Sequence, residues 1–247
     1  MLTFIVTGAA SGIGFAVCQQ LVVAGYYVIA IDINLDGLNE LVSKSPEYIH
    51  PLQIDLVEEE ALTRELVPLV KGREIKGIVV SHGKADNNYI DQNDIWDSVL
   101  VTNLHSTQRL LSQVVPDIVS GGRIVIISSI LGKVGATRNT AYCASKHALL
   151  GLTKSLALDL AERQITVNAV LPAWVNTPML VKGLEPQAQL LGCSTSVLLK
   201  RAAKKIPLRR LITPQDVANT VMFFISPNAA MITAQGITID GGEGGGM

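Results

Sequence analysis

Short apolar runs alternate with longer segments of helical period along most of this 247-residue chain. Leu2–Thr7 (LTFIVT) is apolar and β-branched throughout, the pattern of a strand buried on both faces of a parallel sheet. A glycine-rich turn from Gly8 to Gly14 follows, then Phe15–Ala24 in helical period, stopped by Gly25 as a C′ residue. Tyr27–Ile31 is a second buried strand that finishes at Asp32, closing a βαβ unit of about 30 residues. Further strands are predicted at Tyr48–Ile54, Gly77–Ser81, Arg123–Ser128, Thr166–Leu171 and Gly236–Ile239. Helices are predicted at Glu58–Val70, Ile95–Val119 and Thr140–Leu160, the last carrying apolar residues at three- and four-residue steps with no proline.

This alternation predicts an α/β fold, a single-domain Rossmann-type doubly wound parallel sheet of about seven strands with helices on both faces. Right-handed crossovers put the loops after the strands on one edge, so Gly8, Asp32, Asp55, Gly83, Ser129 and Pro172 are expected to meet there. No repeat or linker divides the chain, and residues 1–247 read as one domain. One connection is too long for an ordinary loop. It predicts a lid over about 178–206 with helices of its own. Regular structure then restarts with Thr213 as N-cap and Pro214 at the first helical position. The glycine-rich tail, Gly241 to Met247, is expected to be mobile at its very end.

Composition narrows the function classes. Hydrophobic residues make up 48% and charged ones 17%, which excludes a disordered chain, and a net charge of -1 leaves no electrostatic footprint for nucleic acid or an anionic membrane. Cys18, Cys143 and Cys193 are scattered and odd in number, so neither a disulfide framework nor a metal site is expected, and reduced thiols in the cytoplasm are the default. The chain enters its first strand at once, with no signal peptide expected, and no apolar run reaches the ~18 residues of a spanning helix.

Two groups of residues carry candidate chemistry. The turn Gly8, Ser11, Gly12, Ile13, Gly14 lies between a strand and a helix, where glycines let backbone approach a pyrophosphate and the helix N-terminus supplies N–H donors. Asp32, at the tip of the second strand, suits the acid that accepts from adenosine ribose hydroxyls, or else an N-cap of the next helix. Neither Ile33, Asn34 nor Leu35 offers a cation for a 2′-phosphate, so NAD is expected rather than NADP. Asp55, beside Leu56, either faces the adenine or caps the following helix. In the Thr140–Leu160 helix, Tyr142 and Lys146 stand four apart, which puts their Cβ atoms about 5–6 Å apart on one face. An ammonium beside a phenol favours the phenolate, so a lowered tyrosine pKa is expected. Tyr-x-x-x-Lys alone is short. Ser129, thirteen residues upstream, and the glycine turn give it weight.

Together these residues resemble the short-chain dehydrogenase/reductase family over essentially the whole chain. Thr7-Gly8 through Gly14, Asn103, Ser129, Tyr142-x-x-x-Lys146, Pro172 with Thr177-Pro178-Met179, and Asp240-Gly241-Gly242 carry the likeness. The resemblance implies hydride transfer between NAD and a secondary alcohol or ketone. Tyr142 would be the general acid/base, Ser129 would bond the same oxygen, Lys146 would tune the phenol and grip the nicotinamide ribose, and Asn103 would hold a linking water. Gly83, Pro172, backbone at Val175 and the Thr177 hydroxyl would lie by the nicotinamide. A homotetramer or homodimer with a small-molecule substrate is implied as well. Two readings compete: an NADPH-dependent 3-oxoacyl-thioester reductase and a non-catalytic NAD-binding regulator. The chain departs from the family at Val80-Ser81-His82-Gly83, where His82 is either a substrate or cofactor contact or, the preferred reading, a residue tolerated in a loop, and at Pro172-Ala173. Trp174 lines the pocket or packs beneath the lid, and Lys200, Arg201, Lys204 and Lys205 read as a solvated helix face.

Overall fold

The computed structural model describes residues 1–245, so the expected mobile end at residues 246–247 lies outside the described residues. Strands β1 (Thr3–Thr7), β2 (Tyr27–Asp32), β3 (Ile49–Gln53), β4 (Ile75–Val80), β5 (Ile118–Ile127), β6 (Thr166–Pro172) and β7 (Gly236–Ile239) form one sheet in the order β3-β2-β1-β4-β5-β6-β7. Every pairing is parallel. The order grows outward in both directions from β1, so a crevice opens at the strand ends between β1 and β4, where ligands of such sheets bind.

The helices are α1 (Gly12–Val23), α2 (Leu35–Lys44), α3 (Glu59–Ala61), α4 (Val67–Val70), α5 (Asn93–Leu100), α6 (Ser106–Val114), α7 (Thr140–Asp159), α8 (Pro178–Leu190), α9 (Thr195–Lys205) and α10 (Pro214–Ile225). A π-turn, Leu62–Leu66, joins α3 to α4, and another, Val101–His105, joins α5 to α6. Strand side chains alternate between the two faces. Phe4 and Val6 pack with Val17, Leu21, Val221 and Phe224 on the α1–α10 side, whereas Ile5 packs with Leu62, Leu66, Leu110 and Leu149 on the other. All five residues of β1 are buried, as a strand covered on both faces requires.

Two boundaries differ by five residues from those predicted. The Ile95–Val119 helix ends at Val114, because Pro116 cannot continue a helical ladder, and β5 takes over at Ile118 instead of Arg123. Helix α2 is the helix expected after Asp32, to which no bounds were assigned from sequence. It is ten residues long and capped by Asn34, whose side chain accepts from Gly37 N at 3.3 Å. The long connection holds α8 and α9, which share a small apolar cluster of Leu184, Ala188 and Leu198 with Trp174 packed against it. Thr213 starts α10 through a capping box: its Oγ1 accepts from Asp216 N at 3.1 Å, and Asp216 Oδ2 accepts from Thr213 N at 2.8 Å. The described part of the tail is folded, with the Asp240 carboxylate accepting from Gly242 N and Gly244 N.

Candidate active site

A cleft of about 2200 Å³ opens along the predicted edge of the sheet. Gly8, Ser11, Gly12, Ile13, Asp32, Asp55, Leu56, Gly83, Ser129, Tyr142, Lys146, Pro172, Val175 and Thr177 all line it. Of the residues singled out from sequence, Gly14 and Asn103 stand behind its wall, and each has a packing reason to be there.

At the β1–α1 turn, Gly8 has φ +64° and a Cβ there would lie 2.9 Å from His82 N, so the β1 and β4 loops can only approach this closely through glycine. A Cβ on Gly14 would sit 2.1 Å from Gly8 O, which is why a second glycine closes the turn. No side chain caps α1, and its first intrahelical acceptor, Ser11 O, is taken by Phe15 N. The amides of Gly12, Ile13 and Gly14 therefore remain as donors, with no acidic residue in that turn to oppose an anion. This donor set and the glycine-lined approach fit the pyrophosphate of a dinucleotide.

Asp32 closes the far end. Its Oδ2 accepts from Ala10 N at 3.0 Å and its Oδ1 from Asn34 N at 2.9 Å, so the carboxylate braces the glycine turn against β2 while facing the cleft. The N-cap alternative is excluded, since Asn34 caps α2. Asp55 accepts from Val57 N at 2.9 Å in a local turn and lines the cleft, and the N-cap of α3 is Glu58.

At the other end, α7 presents Tyr142 and Lys146 to the same wall as Ser129. Ser129 Oγ accepts from Leu131 N at 3.1 Å, which leaves its hydroxyl hydrogen for the Tyr142 phenol, whose pKa it lowers. Ser128 spends its hydroxyl on Lys146 O at 3.0 Å, so Ser129 is the serine available to a reacting oxygen. Lys146 is 4% exposed; its Nζ donates to Ile127 O at 3.0 Å and lies 5.5 Å from the Tyr142 ring centroid. Burial of the ammonium lowers its pKa to about 8.

One expectation is corrected here. Burial raises the Tyr142 pKa, the Ser129 bond opposing it, and Lys146 is not among the groups that lower it. Desolvation of the phenolate outweighs the ammonium because the amine turns toward the Ile127 carbonyl. Asn103 is anchored within the protein. Its side chain is saturated by protein: Oδ1 accepts from Lys84 N at 2.7 Å, and Nδ2 donates to Lys84 O at 2.9 Å and Ser145 Oγ at 3.0 Å. It lies in the Val101–His105 π-turn and pins the Gly83–Lys84 backbone against α7, next to Lys146 Nζ.

His82 is not a passive loop residue. Thr7 Oγ1 accepts from Ser81 N and His82 N, so its hydrogen goes to His82 Nδ1 at 2.7 Å, and His82 Nε2 then donates to Ser106 Oγ at 2.8 Å. Only a neutral ring satisfies this chain of bonds. Burial and the nearby Lys146 charge lower the His82 pKa to about 3. Trp174 both lines the cleft and packs under the lid, and its Nε1 donates to Glu243 Oε1 at 3.1 Å. His82 stands out in the sequence only as a departure from the family, and nothing in the local pattern marks Asn88, Arg138 or Glu243, because their partners or their place at the cleft are set by segments far apart in the chain.

Comparison with known proteins agrees with this geometry. Residues 8–243 match the family model described as enoyl-(acyl carrier protein) reductase. The 3-oxoacyl-[acyl-carrier-protein] reductase FabG of Thermotoga maritima is 32% identical over 246 residues, 96% of each chain. A short chain dehydrogenase family protein from Francisella tularensis superposes with a TM-score of 0.92 at 31% identity, covering 99% of both chains. An actinorhodin polyketide ketoreductase variant solved with NADPH also reaches a TM-score of 0.92, at 32% identity over 98% of this chain and 97% of its own.

Proposed function

The chain belongs to the short-chain dehydrogenase/reductase family of oxidoreductases, and from that premise we propose that it moves a hydride between NAD and a secondary alcohol or ketone. The observation that carries the reading is the meeting, in one cleft, of an uncapped glycine turn with a tyrosine, a serine and a buried lysine.

Gly8, Ser11, Gly12, Ile13 and Gly14 hold the pyrophosphate, and Asp32 takes the adenosine ribose. Asp55 and Leu56 would hold the adenine, and Gly83, Pro172, Val175 and Thr177 would hold the nicotinamide. Bound nicotinamide supplies or accepts the hydride. Tyr142 Oη gives its proton to the substrate oxygen in reduction and takes it back in oxidation. Its raised pKa keeps it protonated at neutral pH, which suits the donor role. Ser129 Oγ donates to the same oxygen as charge grows there. Lys146 binds the ribose and supplies positive charge, and Asn103 keeps the Gly83–Lys84 backbone in place beside it. Residues 1–247 work as one domain, with about 178–206 as a lid of apolar underside, in a cytoplasmic homotetramer or homodimer.

The preference for NAD rests on Asp32. A 2′-phosphate would meet its carboxylate, and neither Ala9, Ala10 and Ser11 nor Ile33, Asn34 and Leu35 holds a cation to neutralise one. A second reading, reduction of 3-oxoacyl thioesters with NADPH, is favoured by the likeness to FabG and the ketoreductase. Turnover of a ketone panel with NADH and NADPH separates the two. Tyr142→Phe is expected to lower kcat by about 100-fold or more, the usual worth of a general acid, with cofactor binding retained. Undiminished turnover in that variant removes the mechanism.

A further inference from the structure

The cations lining the cleft are Lys84, Lys146 and Arg138. Lys84 pairs with Asp86 at 3.0 Å, and Lys146 is buried against Ile127 O. None of the ion pairs among the described residues involves Arg138. It stands four residues before Tyr142, on the rim, with its guanidinium stacked 5.2 Å over the Tyr89 ring. Its φ is +58°, a left-handed conformation that is strained for a residue bearing a Cβ.

Neighbouring contacts hold that strain. Asn88, 1% exposed, donates its backbone N–H to Arg138 O at 2.8 Å. The Asn88 side chain then takes the place of a local cap on α7: Oδ1 accepts from Ala141 N at 3.0 Å and Nδ2 donates to Thr140 Oγ1 at 2.8 Å, while Asn139 caps nothing. The same two-residue segment therefore fixes the start of the helix bearing Tyr142 and, through Tyr89, the direction of the arginine. Backbone strain that the surroundings over-determine is characteristic of ligand clamps. The ring, against one face of the guanidinium, leaves its N–H edge for the oxygens of a carboxylate or a phosphate. Opposite, the lid offers Met179, Leu180 and Leu184, which are apolar.

We propose that Arg138, clamped by Asn88 and Tyr89, reads an anionic group on the substrate, so that the substrate is an oxo or hydroxy compound carrying a carboxylate or a phosphate. The inference rests on the oxidoreductase reading and adds the substrate class. The test uses three ketones: a 3-oxo acid, its neutral ester, and a 3-oxoacyl phosphopantetheine thioester. Arg138→Gln and Arg138→Gly are compared with wild type, the glycine variant keeping the fold because it accepts the positive φ. KM for the anionic substrate is expected to rise about tenfold, the worth of one charge-assisted hydrogen bond, with kcat and the ester little affected. Arg138→Lys restores part of the loss. An effect on the acid alone identifies a carboxylate, and one on the thioester alone a phosphate. Equal effects on all three ketones, or none on any, overturn the proposal. If wild type reduces none of them, the oxidoreductase reading fails separately. Calorimetric binding of the acid and the thioester then decides: binding lost in Arg138→Gly upholds the anion site, and binding unchanged or absent refutes it.

Discussion

The buried Lys146 ammonium carries a cost in stability. Its pKa is about 8 in the folded chain, against about 10.4 for a free lysine. Below pH 8 it is charged in both folded and unfolded states, and the folded state carries a desolvation cost of ~3 kcal/mol. As pH rises from 8 toward the unfolded value, the folded state releases its proton first and that cost disappears. Lys146→Met, which keeps the side-chain volume, is therefore expected to abolish hydride transfer while melting several degrees above wild type at pH 7. Thermal melts over pH 6–10 should show that margin shrinking above pH 8. A variant less stable than wild type at pH 7 would mean that the bond to Ile127 O outweighs desolvation.

Elements meet at this site through side chains that are not themselves reactive. His82 ties β1 to the start of α6, and it does so only as a neutral ring. Its pKa is lowered to about 3, so between pH 6.5 and 3 the unfolded chain takes up a proton that the folded chain refuses, and stability falls as pH falls. His82→Gln is expected to be less stable than wild type at pH 7 but less acid-sensitive. The gap closes by on the order of 3 kcal/mol across that window once the ring's partial exposure is discounted, as urea titrations at stepped pH can measure. Asp32 plays a similar double part at the tip of β2, bracing the Ala10 amide while facing the cleft. For Asp32→Ala, KM for NADH should rise and the preference for NADH over NADPH should shrink about tenfold or more, one charge-assisted bond and one repulsion being removed together. An unchanged ratio would assign cofactor choice to another residue.

At the scale of the molecule, apolar surface remains to be covered. Leu158 on α7 is 74% exposed, Met231 is 96% exposed, and Phe223 on α10 and Ile237 on the edge strand β7 are exposed as well. With a net charge of -1 there is little self-repulsion to oppose burial of such faces between copies. Sedimentation equilibrium is expected to give a dimer or tetramer at micromolar concentration. Leu158→Glu should shift the distribution toward smaller species if α7 lies at the interface, and a monomeric wild type would dispose of the assembly.

Strand runs, the glycine turn and Tyr142-x-x-x-Lys146 were legible in the sequence because each is set by neighbours within a few residues: alternation, helical period, or a backbone angle that glycine tolerates. From these come the doubly wound sheet, the edge on which the site lies, and Gly8, Gly12, Tyr142 and Lys146 among the residues that line it. Pro116 and the glycines of β5 were legible too, but their effect on where the helix ends was not anticipated. Only the tertiary structure could decide protonation and support. Whether Lys146 lowers or merely accompanies the Tyr142 phenol depends on which carbonyl its amine reaches, and that carbonyl comes from β5. The roles of His82, Asn88 and Arg138 depend on partners 24 to 75 residues away in the chain for His82, and 49 or more away for Asn88 and Arg138. Local pattern carries no information about such pairings, since burial and hydrogen bonding between distant segments exist only once the sheet has brought them together.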